Sequence, residues 1–242
     1  MTTDSGAKTV VVTGVTSGIG KAVAERLIGK GHRVVGLARS KDKLDALASE
    51  HADKLIPLVC DVRDAARVKE VVQELLAKVG TVDALVNNAG LLKFSATHDL
   101  ADADLLAQVE TILLGTIYMT RALLPTFIAQ QRGLVVNLGS VSGQKASPKM
   151  AAYGAAKAGV ENFTKSIALE YADKNIRAIT ICPGTIETGL MDKMMFAMIG
   201  KKVPMKRIGQ PKEVAGLVEF LLSDDAAYMT GSSIVVDGGV GL

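Results

Sequence analysis

The chain has 242 residues, a length that suits one α/β domain with a substantial core. Hydrophobic residues make up 48% and charged residues 22%, which is ordinary globular usage and excludes a disordered or collagen-like chain. The net charge is only +3, aromatic residues make up 4% and tryptophan is absent, so neither a basic patch nor a stacking platform for nucleic acid is predicted.

Short, β-branched apolar runs alternate with helical patterns along the whole chain. The runs are continuously apolar, which is typical of strands that are buried on both faces of a parallel sheet. Crossover helices then cover both faces of that sheet. No linker or repeat interrupts the alternation, so we predict an α/β fold with a doubly wound seven-stranded parallel sheet, in a single domain over residues 1–242. The predicted strands are 9–13, 33–37, 55–60, 82–86, 134–138, 176–181 and 233–236, and the predicted helices are 18–30, 41–51, 64–79, 101–131, 151–173 and 211–223.

The N-terminus, the cysteines and the histidines bear on location and on metals. Residues 1–8 lack the apolar core of a signal peptide, and we expect no membrane span, since no run approaches about 18 uncharged apolar residues. Two cysteines are too few for a disulfide framework, which favours a soluble protein of the reducing cytoplasm. The histidines show no metal-ligand spacing and are interpreted as surface residues or helix ends, so no metal site is expected. These residues are Cys60, Cys182, His32, His51 and His98.

A glycine-rich turn follows the first predicted strand and opens the first helix. Residues 13–20 read TGVTSGIG. Glycines at such a turn let the backbone approach a pyrophosphate, and the helix N-terminus supplies amide donors. The strand–turn–helix context is that of a Rossmann-type dinucleotide site, although the motif by itself also suits a turn that binds nothing. The predicted cofactor contacts here are Gly14, Thr16, Ser17, Gly18, Ile19 and Gly20.

Three further motifs lie at informative intervals. Residues 87–90 read NNAG after the fourth strand, Ser140 follows the fifth strand, and residues 153–157 read YGAAK thirteen residues beyond that serine. With these motifs the chain resembles the short-chain dehydrogenase/reductase family from about residue 8 to residue 239. The resemblance implies a Rossmann-type fold and an oxidoreductase that uses a nicotinamide cofactor.

The tyrosine and the lysine have a chemistry that follows from their spacing. Tyr153 and Lys157 are four residues apart on a predicted helix, so they are neighbours on one face. An ammonium group favours the phenolate, and we expect the Tyr153 pKa to fall from about 10, which makes this residue a general acid or base. Ser140 can hold the carbonyl oxygen of a substrate, while Ser142 is interpreted as a turn residue. The alternative is a surface Tyr–Lys pair without a role.

The resemblance implies further cofactor contacts. Asn88 to Gly90 are implied to lie against the ribose and the nicotinamide, whereas Asn87 is expected to brace neighbouring strands. Asp61 and Val62 resemble a pair that contacts adenine, with Asp61 as a helix N-cap for a helix that begins near residue 64 as the alternative. Residues 182–188 and 230–239 are similar to later motifs of the family. The implied contacts are Asp61, Val62, Asn88, Ala89, Gly90, Tyr153, Lys157, Pro183, Gly184, Ile186 and Thr188.

The end of the second strand predicts which nicotinamide cofactor is used. About 20 residues beyond the glycine motif an NAD enzyme places an acid for the ribose 2′-hydroxyl, but residues 37–40 read LARS. Arg39 can instead pair with a 2′-phosphate, with Ser40 as an added donor, so NADP(H) is predicted. NADP-dependent members of the family often have a basic residue inside the glycine motif, where this chain has Ser17.

The predicted substrate loop is the only long irregular segment, residues 184–210. It is methionine-rich, which suits a deformable lid over an apolar ketone or alcohol, although the same residues also suit an amphipathic helix on the sheet. The apolar residues of the loop are Met191, Met194, Met195, Phe196 and Met198. Additional apolar wall is expected from Leu91, Leu92 and Met150, and a site for an anionic group from Lys145, Lys149 and Lys193.

The leading function is an NADPH-dependent carbonyl reductase or alcohol dehydrogenase. A 3-oxoacyl-carrier-protein reductase of the same family is the alternative, but an acidic carrier needs a cationic docking surface. The long helices offer only Arg121, Arg132, Lys165 and Lys174 near their ends. A third possibility is a nucleotide-binding protein that has lost catalysis.

Two further expectations concern assembly and a departure from the family pattern. Apolar residues on more than one face of the helices at 101–131 and 151–173 predict a homotetramer, as is common in the family. The family has an asparagine in the first of these helices that is held to bind a water leading to the active-site lysine, and Ile112 stands in its place. Isoleucine has no polar group, so we expect slower proton resupply, unless a local bulge brings the adjacent Thr111 round.

Overall fold

A seven-stranded parallel sheet organises the chain in the computed structural model, which describes residues 6–51, 54–188 and 193–242, without the side chains of 193–197. The sheet order is β3-β2-β1-β4-β5-β6-β7, and every pairing is parallel. The predicted α/β, doubly wound, single-domain fold is thereby confirmed. The strands are β1 (Thr9–Thr13), β2 (Arg33–Ala38), β3 (Leu55–Val59), β4 (Ala84–Asn87), β5 (Gly133–Leu138), β6 (Ile176–Pro183) and β7 (Ser233–Val236).

Two apolar layers cover the faces of this sheet. Alternate residues of β1 point to opposite faces, so Val10 and Val12 belong to one buried cluster and Val11 to the other. The first layer contains α1 (Gly18–Gly29), α2 (Lys41–Glu50) and α9 (Pro211–Leu222). The second contains α3 (Ala65–Val79), α5 (Gly115–Gln130) and α7 (Ala151–Tyr171). Burial on both faces explains why the strands are apolar throughout.

The long central helix differs from its prediction. Instead of one helix over 101–131, α4 (Asp102–Val109) and α5 are joined by a π-helical segment, Glu110–Leu114. A π-helical turn inserts an extra residue and shifts the faces that follow it, a change that a 3.6-residue period does not predict. By length and composition alone Asp102–Gln130 is long and apolar enough to cross a membrane, but Arg121 interrupts its apolar run, so the run of about 18 uncharged residues that a membrane span requires is absent there, as predicted. Its apolar character has a structural reason, because Met119, Leu123 and Phe127 are buried against the sheet.

Two other predictions need correction. The segment 184–210 is not irregular throughout, because α8 (Lys193–Lys202) lies within it, and the short α6 (Val141–Gln144) follows β5. The fourth strand begins at residue 84 rather than 82. The main-chain N–H and C=O of Val82 bond to the side-chain amide of Gln130, at 3.3 and 2.9 Å, and so do not join the sheet.

Candidate active site

The glycine turn between β1 and α1 is shaped by close contacts of its backbone. Gly14 has a φ of +68°, and a Cβ atom at Gly20 would lie 2.3 Å from the carbonyl oxygen of Gly14. A larger residue at Gly20 would therefore push helix and turn apart. Ser17 is the N-cap of α1, and its side chain makes no capping bond. The first amides of α1 thus remain available to an anion, which fits the pyrophosphate of a dinucleotide.

Polar side chains tie this turn to the end of β4, where the order of the strands reverses. The Asn88 amide donates to the carbonyl oxygens of Thr13 and Gly14, at 2.9 and 3.1 Å, and the Thr13 hydroxyl accepts from the N–H groups of Asn88 and Ala89. Asn87 braces neighbouring strands as expected, since its amide donates to Asn137 of β5 at 2.9 Å. The crevice beyond this point is where open α/β sheets bind ligands.

A cleft of about 1100 Å³ runs along the carboxyl edge of the sheet. It brings together all the predicted catalytic residues and all the predicted cofactor contacts except Gly18 and Gly20, which shape the turn behind it. The predicted residues that line the cleft are Gly14, Thr16, Ser17, Ile19, Arg39, Ser40, Asp61, Val62, Asn88, Ala89, Gly90, Ser140, Tyr153, Lys157, Pro183, Gly184, Ile186 and Thr188.

Several other residues line the cleft that were not predicted as site residues from the sequence. These are Leu37, Ala38, Lys43, Cys60, Phe94, Leu138, Gly139, Val141, Ala146, Ser147, Thr185, Ile199, Val240 and Gly241. Most are apolar or small residues beside a predicted motif, and nothing in their residue type indicates a role in the site. Lys43 is the exception, because it is charged and lies four residues after Arg39, so its position could have been predicted.

The cationic end of the cleft lies at the carboxyl end of β2. Arg39 and Ser40 are exposed, and Ser40 is the N-cap of α2. Within the described part of the chain, neither side chain makes a hydrogen bond or an ion pair. Lys43 lines the same end from the first turn of α2. Two cations and a free hydroxyl fit the 2′-phosphate of NADP(H).

Asp61 lies near this cationic end. Its carboxylate pairs with Arg63 at 2.7 Å, which lowers the Asp61 pKa, and the charge of Arg39 adds to the effect. Asp61 is not a helix N-cap. That role belongs to Asp64, which accepts from the N–H groups of Ala66 and Arg67 at the start of α3. Asp61 is therefore left to border the cleft.

At the other end of the cleft, Ser140, Tyr153 and Lys157 converge. Ser140 is buried at the start of α6, and its Oγ accepts from the Ser142 N–H at 3.1 Å. Tyr153 and Lys157 lie in the first two turns of α7. The Lys157 side chain is only 5% exposed, and its ammonium donates to the carbonyl oxygen of Leu138 at the end of β5. A hydroxyl, a phenol and a buried amine thus surround one point of the cleft.

Comparisons with known proteins cover almost the whole chain. A family described as enoyl-(acyl carrier protein) reductase matches residues 14–241. The 3-oxoacyl-[acyl-carrier-protein] reductase FabG of Thermotoga maritima is 37% identical over 239 residues, 96% of this chain and 97% of that protein. The oxidoreductase UcpA of Escherichia coli is 34% identical over 247 residues, 96% of this chain and 94% of that protein. The chain belongs to the short-chain dehydrogenase/reductase family.

Two solved structures of this family have the same fold. A short chain dehydrogenase from Bacillus anthracis superposes with a TM-score of 0.90 at 33% identity, and each chain is covered to 97%. An actinorhodin polyketide ketoreductase solved with NADPH gives a TM-score of 0.92 at 34% identity, again with 97% of each chain covered. The protein is therefore an oxidoreductase of the short-chain dehydrogenase/reductase type.

The electrostatics of Tyr153 differ from the expectation. Burial raises the Tyr153 pKa, and hydrogen bonding with Ser140 only partly opposes this. The predicted fall is wrong for this arrangement because the Lys157 ammonium lies 5.7 Å from the centre of the tyrosine ring and is directed to Leu138. Burial also lowers the Lys157 pKa to about 8. Both groups are consequently held towards their neutral forms.

Ile112 does not line the cleft. Its side chain is 1% exposed and packs with Ala156 and Val160 of α7 and with Tyr153. The carbonyl oxygen of Ile112 accepts from the Thr116 hydroxyl at 2.7 Å. At the position where the resemblance implies an asparagine, the chain therefore has a buried apolar residue that packs against Tyr153.

Thr111 faces the cleft from the π-helical segment. Its hydroxyl oxygen is buried and has no hydrogen-bond partner among the described residues. The local bulge therefore places a buried hydroxyl without a partner among the described residues at the wall of the cleft.

The other predicted residues have structural surroundings. His98 is exposed, His51 is the C-cap of α2, and His32 accepts from the main-chain N–H of Lys8. Across the described ranges the one potential metal-ligating group is Glu25, Glu50 and His51, with exposed carboxylates away from the cleft. Lys145 lines the cleft and Lys149 does not. Of the predicted lid, Met191 and the side chains of Lys193, Met194, Met195 and Phe196 lie outside the described residues, and Met198 is exposed.

Proposed function

We propose that the protein is an NADPH-dependent reductase that interconverts a ketone and a secondary alcohol. The observation that carries the proposal is the convergence of Ser140, Tyr153 and Lys157 at one end of a cleft that has a phosphate-binding turn in its middle and the cations Arg39 and Lys43 at its other end. A cleft with this order of groups suits an extended NADP(H) molecule whose nicotinamide meets the hydroxyl groups.

Each residue of the catalytic group has a separate task in the proposed reaction. Hydroxyl groups of Ser140 and Tyr153 donate hydrogen bonds to the carbonyl oxygen of the ketone, which polarises the carbonyl bond. The bound nicotinamide supplies the hydride. Tyr153 gives its proton to the oxygen as the alcohol forms, and its raised pKa keeps it protonated beforehand. The Lys157 ammonium favours the phenolate that remains and binds the nicotinamide ribose.

NADP(H) is the cofactor of this reaction. The acid that an NAD enzyme uses at the end of β2 is absent, and cationic side chains border the cleft there. The ketoreductase neighbour was solved with NADPH. The remaining cofactor contacts follow the cleft from the glycine turn through Asn88–Gly90 to the residues after β6.

The substrate end of the cleft is mainly apolar. Leu91, Leu92, Phe94, Val141 and Met150 line the cleft, which suits a ketone with an aliphatic body. A 3-oxoacyl thioester is the second candidate, because several relatives of 35–37% identity are 3-oxoacyl-[acyl-carrier-protein] reductases. Such a substrate places a ketone beside an apolar chain.

Three of the four cationic residues that were candidates for docking an acidic carrier protein already interact with other side chains of this chain. Arg132 pairs with Asp83 at 3.1 Å, Lys174 with Asp173 at 3.0 Å, and Arg121 lies over the ring of Tyr118. None of these three cations lines the cleft. Direct recognition of an acidic carrier is therefore the less supported part of the second candidate.

One panel of assays tests the proposal. NADPH oxidation is followed with 2-alkanones, with acetoacetyl-coenzyme A and with acetoacetyl carrier protein, and Tyr153→Phe serves as the matched control. We expect reduction of ketones that is lost in Tyr153→Phe while NADPH binding persists. A strong preference for the carrier-bound thioester would select the second candidate, and no NADPH oxidation with any substrate would refute both.

We also propose a cytoplasmic homotetramer. Apolar side chains on the outer faces of the long helices are exposed, among them Leu106 at 55% and Leu169 at 85%. Such surface is removed from water when helices of two subunits pack together. Light scattering at micromolar concentration should report a tetramer, and a monomer would refute this proposal.

A further inference from the structure

The segment after β7, residues 237–242, is folded into a compact turn that we name the tail segment. The Asp237 carboxylate accepts from the N–H groups of Gly239 and Gly241, at 2.8 and 2.6 Å. Gly238 and Gly239 have φ values of +64° and +88°, which residues with a Cβ rarely adopt. The carboxylate and the two glycines together determine the path of the tail segment.

One side of the tail segment packs on the chain that follows α8. The Met205 N–H donates to the carbonyl oxygen of Gly238 at 3.2 Å, and a Cβ atom at Gly238 would lie 2.9 Å from Val203. Asp237 also contacts Gly184, directly after β6, because a Cβ atom added at Gly184 would lie 2.7 Å from the Cβ atom of Asp237. The tail segment is thereby anchored beside the loop that borders the cofactor.

The other side of the tail segment reaches the end of α6. The Lys145 ammonium donates to the carbonyl oxygen of Leu242 at 3.3 Å. Because α6 begins directly after Ser140, this contact brings the tail segment towards the catalytic serine. Val240 and Gly241 accordingly line the same cleft as Ser140 and Tyr153.

The sheet order decides which end of the cleft the tail segment borders. β2, which carries the cationic end, lies on one side of the switch point between β1 and β4, whereas β5, β6 and β7 lie on the other. The tail segment follows β7 and contacts residues that follow β5 and β6. It therefore borders the substrate end rather than the adenine end.

We propose that the tail segment is a wall of the substrate pocket and that Val240 is a specificity-determining residue. The proposal rests on the proposed ketone reduction. Val240 and Gly241 are the residues of the tail segment that line the cleft, and of these only Val240 has an apolar side chain. We therefore infer that its size limits the aliphatic chain that the pocket accepts. When an apolar pocket buries one more methylene group of the substrate chain, or excludes it, kcat/KM for that substrate changes by about fourfold or more.

The test compares chain-length profiles. We measure kcat/KM with NADPH for 2-alkanones from butanone to 2-decanone in the wild type, Val240→Ala and Val240→Leu. Val235→Ala is the matched control, because Val235 is 45% exposed on β7 and does not line the cleft. The dissociation constant of NADPH is measured for each variant by the fluorescence of the bound nucleotide.

A change that depends on chain length supports the proposal. Val240→Ala should raise the kcat/KM of the longest ketone relative to butanone by at least about fourfold, and Val240→Leu should lower it by a similar factor. The NADPH affinity of every variant and the chain-length profile of Val235→Ala should match those of the wild type. If the Val240 variants and the wild type show the same dependence of kcat/KM on chain length, the proposal is wrong.

A labelling experiment separates this proposal from the proposed function. In Val240→Cys the new thiol is the most reactive one in the described structure, because Cys182 and the cleft residue Cys60 are buried and burial raises the pKa of Cys60 to about 11 and that of Cys182 to about 12. With NADP⁺ bound, 2-octanone should slow alkylation of Val240→Cys at least threefold. If ketones are not reduced but still protect this thiol, only the proposed function fails; if 2-octanone gives no protection, the tail proposal fails even in an active enzyme.

Discussion

Replacing Thr111 by valine should stabilise the ligand-free protein and weaken its response to NADPH. The Thr111 hydroxyl is buried at the wall of the cleft without a hydrogen-bond partner in the described structure. Valine has the same branched shape but lacks the hydroxyl. In the free protein the substitution removes only an unsatisfied polar group, whereas in the complex it removes a group that NADPH or a water beside it can satisfy.

The magnitude follows from the cost of such a group. A buried hydroxyl without a partner costs about 1–3 kcal/mol in mutational data. Thr111→Val should therefore raise the free energy of unfolding of the free protein by about 1 kcal/mol, or the Tm by about 2–4 °C for a chain of this size. If the hydroxyl is satisfied in the complex, NADPH should bind the variant about fivefold more weakly, because about 1 kcal/mol of its binding energy is lost.

The assay is thermal unfolding with and without saturating NADPH. The matched control is Thr164→Val, since the Thr164 hydroxyl is fully buried, accepts from the Asn137 amide at 2.8 Å and donates to the Val160 carbonyl at 2.7 Å. The same chemical change should lower the Tm there, because it leaves the Asn137 amide without a partner.

Two results would refute this reasoning. A lower Tm of free Thr111→Val would mean that the hydroxyl already has a partner. An equal gain in Tm with and without NADPH would mean that the hydroxyl does not meet the cofactor or its water.

Three further predictions concern the cofactor, the buried lysine and the family's asparagine position. Arg39→Asp should lower the ratio of kcat/KM for NADPH to that for NADH at least tenfold, and Lys43→Ala should lower it less, because a lysine is a single point charge; an unchanged ratio in steady-state kinetics would argue against a 2′-phosphate site. Burial lowers the Lys157 pKa to about 8 from the ordinary 10.5, so between these pH values the unfolded chain retains a proton that the folded protein has released. The wild type should therefore gain stability relative to Lys157→Met as the pH rises through this window, and a pH-independent difference in urea unfolding would contradict the assignment. Ile112→Asn should raise kcat about tenfold if proton resupply limits turnover. The same variant should lower the Tm, because Ile112 is 1% exposed in an apolar cluster, and an unchanged kcat and solvent isotope effect would show that resupply takes another route.

Local patterns predicted the fold well because each element carries its own signal. Strands buried on both faces must be apolar throughout, and the turn after β1 needs glycine at residue 20, where a Cβ atom would meet the Gly14 carbonyl oxygen. The boundaries were less predictable. β4 starts two residues late because the Gln130 side chain, 48 residues away in the sequence, takes the main-chain groups of Val82.

Some features of the candidate site were also predictable from local sequence patterns, and others were not. Ser140, Tyr153 and Lys157 were recognisable from their spacing, and Arg39 from its place after a strand. The direction in which the Tyr153 pKa shifts could not be predicted, because it depends on burial and on the carbonyl group to which the Lys157 ammonium donates. Spacing along a helix places two side chains on one face but does not determine where their polar ends point.

The sequence by itself therefore determined the parallel sheet and predicted the glycine turn and the grouping of the serine, tyrosine and lysine, because these depend on residues that are close in the chain. Only the tertiary structure decided the surroundings of these groups. A π-helical segment brings Thr111 to the cleft and buries Ile112 behind Tyr153, and Val240 reaches the substrate end from a strand at the edge of the sheet. Such placements arise from contacts between distant segments, which no local pattern of residues encodes.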